Sequence, residues 1–254
     1  MSNQADAIKE LDLPVSVASA LGTVRDELRA AAGDNLVALM LYGGLARGRH
    51  RGSRSDIDLA VVLEDASPVR VAEIAPVLLA ASRAARVEPW LLARAELPRV
   101  AEVFPTKLLD MREYHLVLSG EDVLAGLDID ARHLRLCVEQ ELTNLSLRLR
   151  RSLVALAADP ASMASYLAGV ARPLAIQLAA LLRLTGRELP REDRSAMIFA
   201  AASEAFGLDG EALAQLAALR QGESGADDLA DLMGRVQVAS TRAADVAARL
   251  EPPA

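Results

Sequence analysis

A glycine pair and an aspartate pair, each joined to an apolar run, constrain the fold of this chain most. One apolar run ends at Gly43-Gly44, and a second begins at Asp56-Ile57-Asp58. Residues i and i+2 of a strand point to the same face, roughly 6–7 Å apart along the chain. Two carboxylates held in this way repel each other unless a cation lies between them. An oxygen-rich site of this kind suits Mg²⁺.

The glycine pair adds a second requirement to the same site. Glycine lets a backbone approach phosphate groups closely, and Gly43 and Gly44 stand where a short helix is expected to begin. Together, the glycines and the aspartates predict a site for a Mg²⁺-bound nucleoside triphosphate. Asp56 and Asp58 are the first candidate metal ligands.

The motif resembles the nucleotidyltransferase superfamily that includes DNA polymerase beta, kanamycin nucleotidyltransferase and the small MNT domains. Its signature is a Gly-Ser or Gly-Gly pair, about ten further residues, then Asp-x-Asp or Asp-x-Glu at the start of a strand. The resemblance covers residues 35–93 by motif and the rest by architecture. Gly44 stands where most members have Ser, whose hydroxyl helps to hold a terminal phosphate. Backbone N–H groups would have to take over that contact here.

The resemblance implies a fold and a reaction. The fold is of the α+β class, with a polymerase-beta-like α/β domain containing a small mixed sheet, followed by an all-α helical bundle. We expect the first domain at residues 1–128 and the helical substrate-binding or accessory domain at 129–254. The reaction is the transfer of AMP from ATP to an acceptor hydroxyl with Mg²⁺, as in enzymes of the EC 2.7.7 type.

A third carboxylate is expected on the next strand. Glu88 is the only acidic residue in the third apolar run, where a charge is costly unless it is paired or binds a cation. By resemblance, Glu88 completes the metal site or takes the proton from the attacking hydroxyl. The alternative is a solvent-facing glutamate on an edge strand. If Glu88 is not the base, Glu139 or Glu141 at the start of the helical half are the next candidates.

Four arginines crowd the segment between the glycines and Asp56, and guanidinium groups suit phosphate oxygens. Arg47 is the preferred contact for the triphosphate or the leaving pyrophosphate. Ser55 either joins the nucleotide-binding set or orders the turn before Asp56. Trp90 shares a face with Glu88 by alternation, and is either a stacking surface for a base or sugar or a core or rim side chain.

The order of elements predicted for the first half is α-β-α-β-α-β. Helices are expected at 15–32 and 68–85, and strands at 36–42, 57–63 and 86–93. Ser67 is expected to cap the second helix, and Ser119–Asp122 to form a turn. Pro89 places the third strand at a sheet edge. The second half is predicted to be helical over 131–157, 161–185, 191–206, 210–220 and 225–250.

Composition limits the function further. The net charge is −7, and residues 1–130 hold 14 basic and 20 acidic side chains, which argues against a protein that binds duplex nucleic acid. The same excess would weakly favour a cationic acceptor, and the alternative is the ordinary charge that keeps a protein in solution. Cys137 is the single cysteine, so no intrachain disulfide forms. No apolar run of transmembrane length and no signal peptide are evident, and we therefore expect a cytoplasmic protein that does not associate with membranes.

Three functions remain open at this point. The first is an enzyme of the antibiotic-resistance type, which adenylylates a small acceptor such as an aminoglycoside. The second is an MNT-type antitoxin that adenylylates a partner protein. The third is a nucleotide-binding regulator on a catalytically decayed scaffold. A homodimer is compatible with the Ala- and Leu-rich helices, and neither acceptor nor nucleotide preference follows from the residues.

Overall fold

A computed structural model describes residues 13–48, 56–190, 195–223 and 228–251. The chain divides into two compact units. The first comprises Met1–Ala101 with Lys107–Asp128, and the second comprises Glu102–Thr106 with Ile129–Ala254. The first contains a small mixed sheet with helices, and the second is helical. The fold class predicted from the resemblance is confirmed.

The sheet of the first unit has four strands in the order β3-β2-β1-β4. β1 is antiparallel to β2 and β4, whereas β2 and β3 are parallel. β3 lies at an edge, as Pro89 predicted, because proline cannot donate to a second neighbouring strand. The strands are β1 Leu36–Tyr42, β2 Ile57–Leu63, β3 Val87–Ala93 and β4 His115–Gly120.

Helices cover the sheet face opposite the aspartates. Leu39 and Leu41 of β1 and Leu59 and Val61 of β2 are fully buried in one apolar cluster with Leu28 of helix α1. Each buried side chain of this size is stabilised by roughly 1.5–3 kcal/mol relative to exposure. The helices of this unit are α1 Val15–Ala32, α2 Gly43–Ala46, α3 Pro68–Ala85, α4 Leu97–Val103 and α5 Pro105–Glu113.

Among the described residues of the helical unit, two long helices and three shorter ones lie close to the predicted spans. Helix α6 packs against α7 and α10, and α7 also contacts α8 and α9. Between α6 and α10, Ser146 and Thr241 share a hydrogen bond of 2.8 Å, and Gln237 donates to both hydroxyls. The helices are α6 Ala131–Ala155, α7 Pro160–Leu184, α8 Ser195–Phe206, α9 Gly210–Gln221 and α10 Leu229–Arg249.

Helix α7 is long and apolar enough, by length and composition only, to cross a membrane, which differs from the expectation that no apolar run has this length. Half of the most apolar stretch of this helix is buried inside the structure. Core helices of globular domains have the same length and composition, so we do not assign α7 to a membrane.

Two local expectations were wrong. Ser67 does not cap α3, because its hydroxyl donates to Asp65 Oδ2 at 3.1 Å and its side chain makes no bond to the helix. The segment expected to turn at Ser119 instead continues β4 to Gly120. Gly120 has a φ of +82°, and a Cβ there would overlap the carbonyl of Val37, so only glycine fits at this point of the strand pair.

Asp209 links two helices of the second unit and offers a test of its packing. Its carboxylate caps α9 through the amide of Ala212, and accepts two hydrogen bonds from Arg235 of α10 at 2.7 and 2.9 Å. The Arg235 guanidinium, followed by the Ala212 amide, holds the pKa of Asp209 below its ordinary value. This carboxylate therefore stabilises the fold above the pKa of the unfolded state, and the contribution is lost as the pH falls through the folded pKa.

We expect Asp209→Ala to lower the free energy of unfolding by about 1–2 kcal/mol at pH 7, because both cap and ion pair are lost. Asp209→Asn keeps a capping oxygen and should cost less. Urea unfolding at pH 7 and near pH 4 measures both, with exposed Asp34→Asn as the control. The difference in the free energy of unfolding between wild type and Asp209→Asn should become smaller as the pH falls. A difference independent of pH would contradict the ion pair.

Candidate active site

The site begins where the glycine turn meets β2. Gly43 opens α2 directly after β1 with a φ of +75°, a conformation that strongly favours glycine. A Cβ at this position would overlap Oδ2 of Asp58. The Asp58 carboxylate therefore lies against the glycine backbone, and the two halves of the sequence motif are in direct contact.

The register of the parallel strands places the second and third candidate carboxylates side by side. Asp58 of β2 is the register partner of Glu88 of β3. Neighbouring strands lie roughly 4.8 Å apart, and paired residues point to the same face. Asp58 is half-buried and Glu88 is exposed. Two carboxylates so placed repel each other, and a ligand that brings a cation would relieve the repulsion.

Asp56 stands just before β2 and is held by an arginine that the sequence reading did not single out. Arg86 donates from Nε at 2.8 Å and from a terminal nitrogen at 2.5 Å to Oδ1 of Asp56. Arg86 has a φ of +55°, and among the described residues no other non-glycine residue has a positive φ. This left-handed residue ends α3, and its carbonyl accepts the amide of Ile57 at 3.0 Å. The same residue thus anchors the start of β2 and neutralises Asp56.

The assignment of Asp56, Asp58 and Glu88 as three metal ligands stays a prediction. Within the described part of the chain, no three His, Cys, Asp or Glu side chains cluster as a metal site. Asp56 forms its ion pair with Arg86. The donor set nevertheless fits Mg²⁺, because this ion is usually bound by one or two carboxylates together with substrate phosphates. Asp56 and Asp58 would supply the carboxylates.

A lysine and two aromatic rings occupy the same sheet face as Asp58 and Glu88. The ammonium of Lys107, on α5, lies 3.6 Å from the centroid of the Trp90 ring and 5.5 Å from that of Tyr42. The two rings contact each other with their centroids 6.5 Å apart. Partial burial lowers the pKa of Lys107, and the Asp58 carboxylate acts in the opposite direction.

Arg47, predicted to contact phosphate, is occupied elsewhere in this structure. Its guanidinium forms an ion pair with Asp110 of α5 and lies 4.2 Å from the ring centroid of Tyr114. Only 5% of its side chain is exposed. The phosphate contact of Arg47 stays a prediction, and the observed role of this side chain is to join the end of the glycine turn to α5.

Other predicted residues lie apart from this group or outside the description. Ser55 and the arginines 49, 51 and 54 belong to residues 49–55, which are outside the described residues. Glu139 and Glu141 lie on α6 in the helical unit. Glu139 accepts a hydrogen bond from Arg135 at 2.8 Å. The choice between Glu88 and these two glutamates as the base remains a prediction.

Sequence reasoning missed Lys107 and Arg86. For Lys107 a signal existed, because it is one of only two lysines in a chain whose other basic side chains are arginine or histidine. For Arg86 no sequence signal distinguishes it from the surrounding arginines.

A comparison with known protein families gives one match. Residues 21–118 match the family model described as Nucleotidyltransferase domain. The matched range includes the glycine turn, both aspartates, Glu88 and Lys107. No curated protein matches the chain significantly.

Gly43→Ala tests the contact between the glycine turn and Asp58. The positive φ alone should cost about 1–2 kcal/mol, and the new methyl would displace the Asp58 carboxylate. We expect a lower melting temperature and loss of Mg²⁺–ATP binding by calorimetry. Gly22→Ala in α1, where no atom lies within 4 Å of the added carbon, is the control and should be neutral or slightly stabilising. Unchanged nucleotide binding by Gly43→Ala would contradict the assignment.

Proposed function

We propose that this protein moves AMP from ATP to the hydroxyl of a small acceptor of aminoglycoside type. The match of residues 21–118 to the Nucleotidyltransferase domain model supports nucleotidyl transfer in general. The observation that carries the proposal is the juxtaposition of Asp58 with Glu88 across the parallel strands, with Asp58 against Gly43. A carboxylate pair beside a glycine turn suits a reaction that brings a triphosphate and a hydroxyl together.

Asp56 and Asp58 hold the metal in this proposal. When bound, Mg²⁺ would neutralise the triphosphate and polarise the α-phosphorus. Arg86 donates twice to Oδ1 of Asp56, so Mg²⁺ would bind Oδ2 beside the ion pair or displace Arg86. That ion pair is exposed, with 58% of the Arg86 side chain and 45% of the Asp56 side chain accessible. It therefore contributes little to stability, and breaking it costs little free energy.

Glu88 is the base. Its exposed carboxylate adjoins Asp58 and is open to an incoming acceptor. Glu88 takes the proton of the acceptor hydroxyl while that oxygen forms a bond to the α-phosphorus. The bond from this phosphorus to the oxygen that bridges to the β-phosphate breaks, and pyrophosphate leaves with the electron pair. General base catalysis of this kind contributes about 10²–10⁴-fold to the rate.

The acceptor class rests on charge. The acidic excess lies within residues 1–130, and Glu88 and Asp58 present negative charge on a face that also carries Trp90 and Tyr42. Carboxylates and aromatic rings both attract alkylammonium groups. Because Lys107 already contacts both rings, the carboxylates are the groups that a polyamine sugar would meet.

The test uses two labelled forms of ATP with Mg²⁺, an aminoglycoside panel and a cell extract. We expect label from the α-phosphate on one small molecule, and label from the γ-phosphate only in released pyrophosphate. Asp58→Asn should abolish transfer, and Glu88→Gln should reduce kcat by about 10²-fold or more. Glu73→Gln, an exposed carboxylate paired with Arg70 on α3, is the matched control and should retain activity.

Other outcomes of this experiment are equally decisive. Label on a protein band would overturn the small-acceptor proposal and assign the antitoxin function. Bound ATP without transfer to any acceptor would assign the regulatory scaffold. If Glu139→Gln or Glu141→Gln abolished the reaction while Glu88→Gln did not, the base would lie in the helical unit.

A further inference from the structure

Lys107 places a positive charge at the carboxylate face, and no described residue accepts a hydrogen bond from its ammonium. The structure gives its ammonium contacts with the Trp90 and Tyr42 rings at 3.6 and 5.5 Å. Among the described residues it has no carboxylate within salt-bridge distance and no hydrogen-bond acceptor. Asp58 acts on it only through the longer-range electrostatic attraction. An ammonium has three N–H donors, and here they remain available to a ligand.

Two arginines that could also contact phosphate already form ion pairs with carboxylates. Arg47 is paired with Asp110, and Arg86 with Asp56. Lys107 differs because aromatic rings hold it, and a ring attracts the charge without consuming a hydrogen-bond donor. The rings therefore position a cation and leave its donors free for oxygen atoms.

We propose that Lys107 is the phosphate-binding residue of this site, and that its ammonium donates to the oxygens of the pyrophosphate leaving group. The inference rests on the proposed function and assigns to Lys107 the contact that the sequence suggested for Arg47. Asp58 and Glu88 repel a triphosphate, and a cation held on Trp90 beside them offsets that repulsion. A compact ammonium suits this task as a point charge.

The sole tryptophan of the chain reports on this contact directly. Trp90 fluorescence is recorded while pyrophosphate, ATP or adenosine is added in the presence of Mg²⁺. Pyrophosphate and ATP draw Lys107 toward their oxygens and change the emission, whereas adenosine at the same concentration leaves it unchanged. An equal response to adenosine, or no response to pyrophosphate that calorimetry shows to be bound, would overturn the proposal.

Variants separate charge from packing. Lys107→Met keeps an unbranched apolar stem on Trp90 and removes the charge, and calorimetry should show pyrophosphate binding weakened about tenfold. Lys107→Arg should restore most of the affinity, which a purely structural role would not require. Arg83→Met removes an exposed charge from the end of α3 and serves as the control, with wild-type affinity expected. Wild-type affinity in Lys107→Met would refute the proposal.

The two lysines allow a second readout that needs no variant. An amine-reactive label is quantified by mass spectrometry at Lys107 and Lys9 with and without pyrophosphate. Pyrophosphate should protect Lys107 and leave Lys9 unchanged, and equal labelling of Lys107 in both samples would contradict the proposal. Failures remain distinguishable. Protection of Lys107 without nucleotidyl transfer would support phosphate binding by Lys107 and contradict the proposed reaction. Nucleotidyl transfer that is unaffected by Lys107→Met would support the reaction and contradict the role of Lys107.

Discussion

The parallel pairing of β2 with β3 is the constraint on which the site depends. It sets Asp58 beside Glu88 on one face, whereas the opposite face is buried under α1 and α3. Two carboxylates at this spacing raise the energy of the fold unless positive charge is near. The protein supplies part of this charge through Lys107, which is attracted to Asp58, while Arg86 pairs with the preceding Asp56. A metal and a nucleotide would replace or recruit these cations.

The glycine turn and α5 complete the site on the sheet face that carries Asp58. Gly43 lets the Asp58 carboxylate lie against the backbone, and a side chain there would overlap it. From α5 come Lys107, held on the aromatic rings, and Asp110, which binds Arg47 at the end of the turn. One short helix thus holds the turn with an ion pair and presents a cation with available donors.

Local sequence patterns predicted most helices and strands and the glycine and aspartate motif, because these features depend on residues close together in the chain. The bounds of β1 and β2 followed from continuous apolar runs, and the edge position of β3 followed from Pro89. The ion pair of Arg47 with Asp110 joins residues 63 apart, and that of Arg86 with Asp56 joins residues 30 apart. No sequence pattern distinguishes these arginines from exposed ones. β4 was missed because Ser119 and Gly120 resemble a turn, whereas Gly120 is needed for close approach to Val37.

The most direct test of the central claim is a crystal structure with Mn²⁺ and an ATP analogue that cannot be cleaved at the α-phosphate. The account predicts anomalous density for the metal at Asp56 and Asp58, and triphosphate oxygens over the turn at Gly43. Metal bound away from both aspartates, or a nucleotide bound elsewhere, would contradict it.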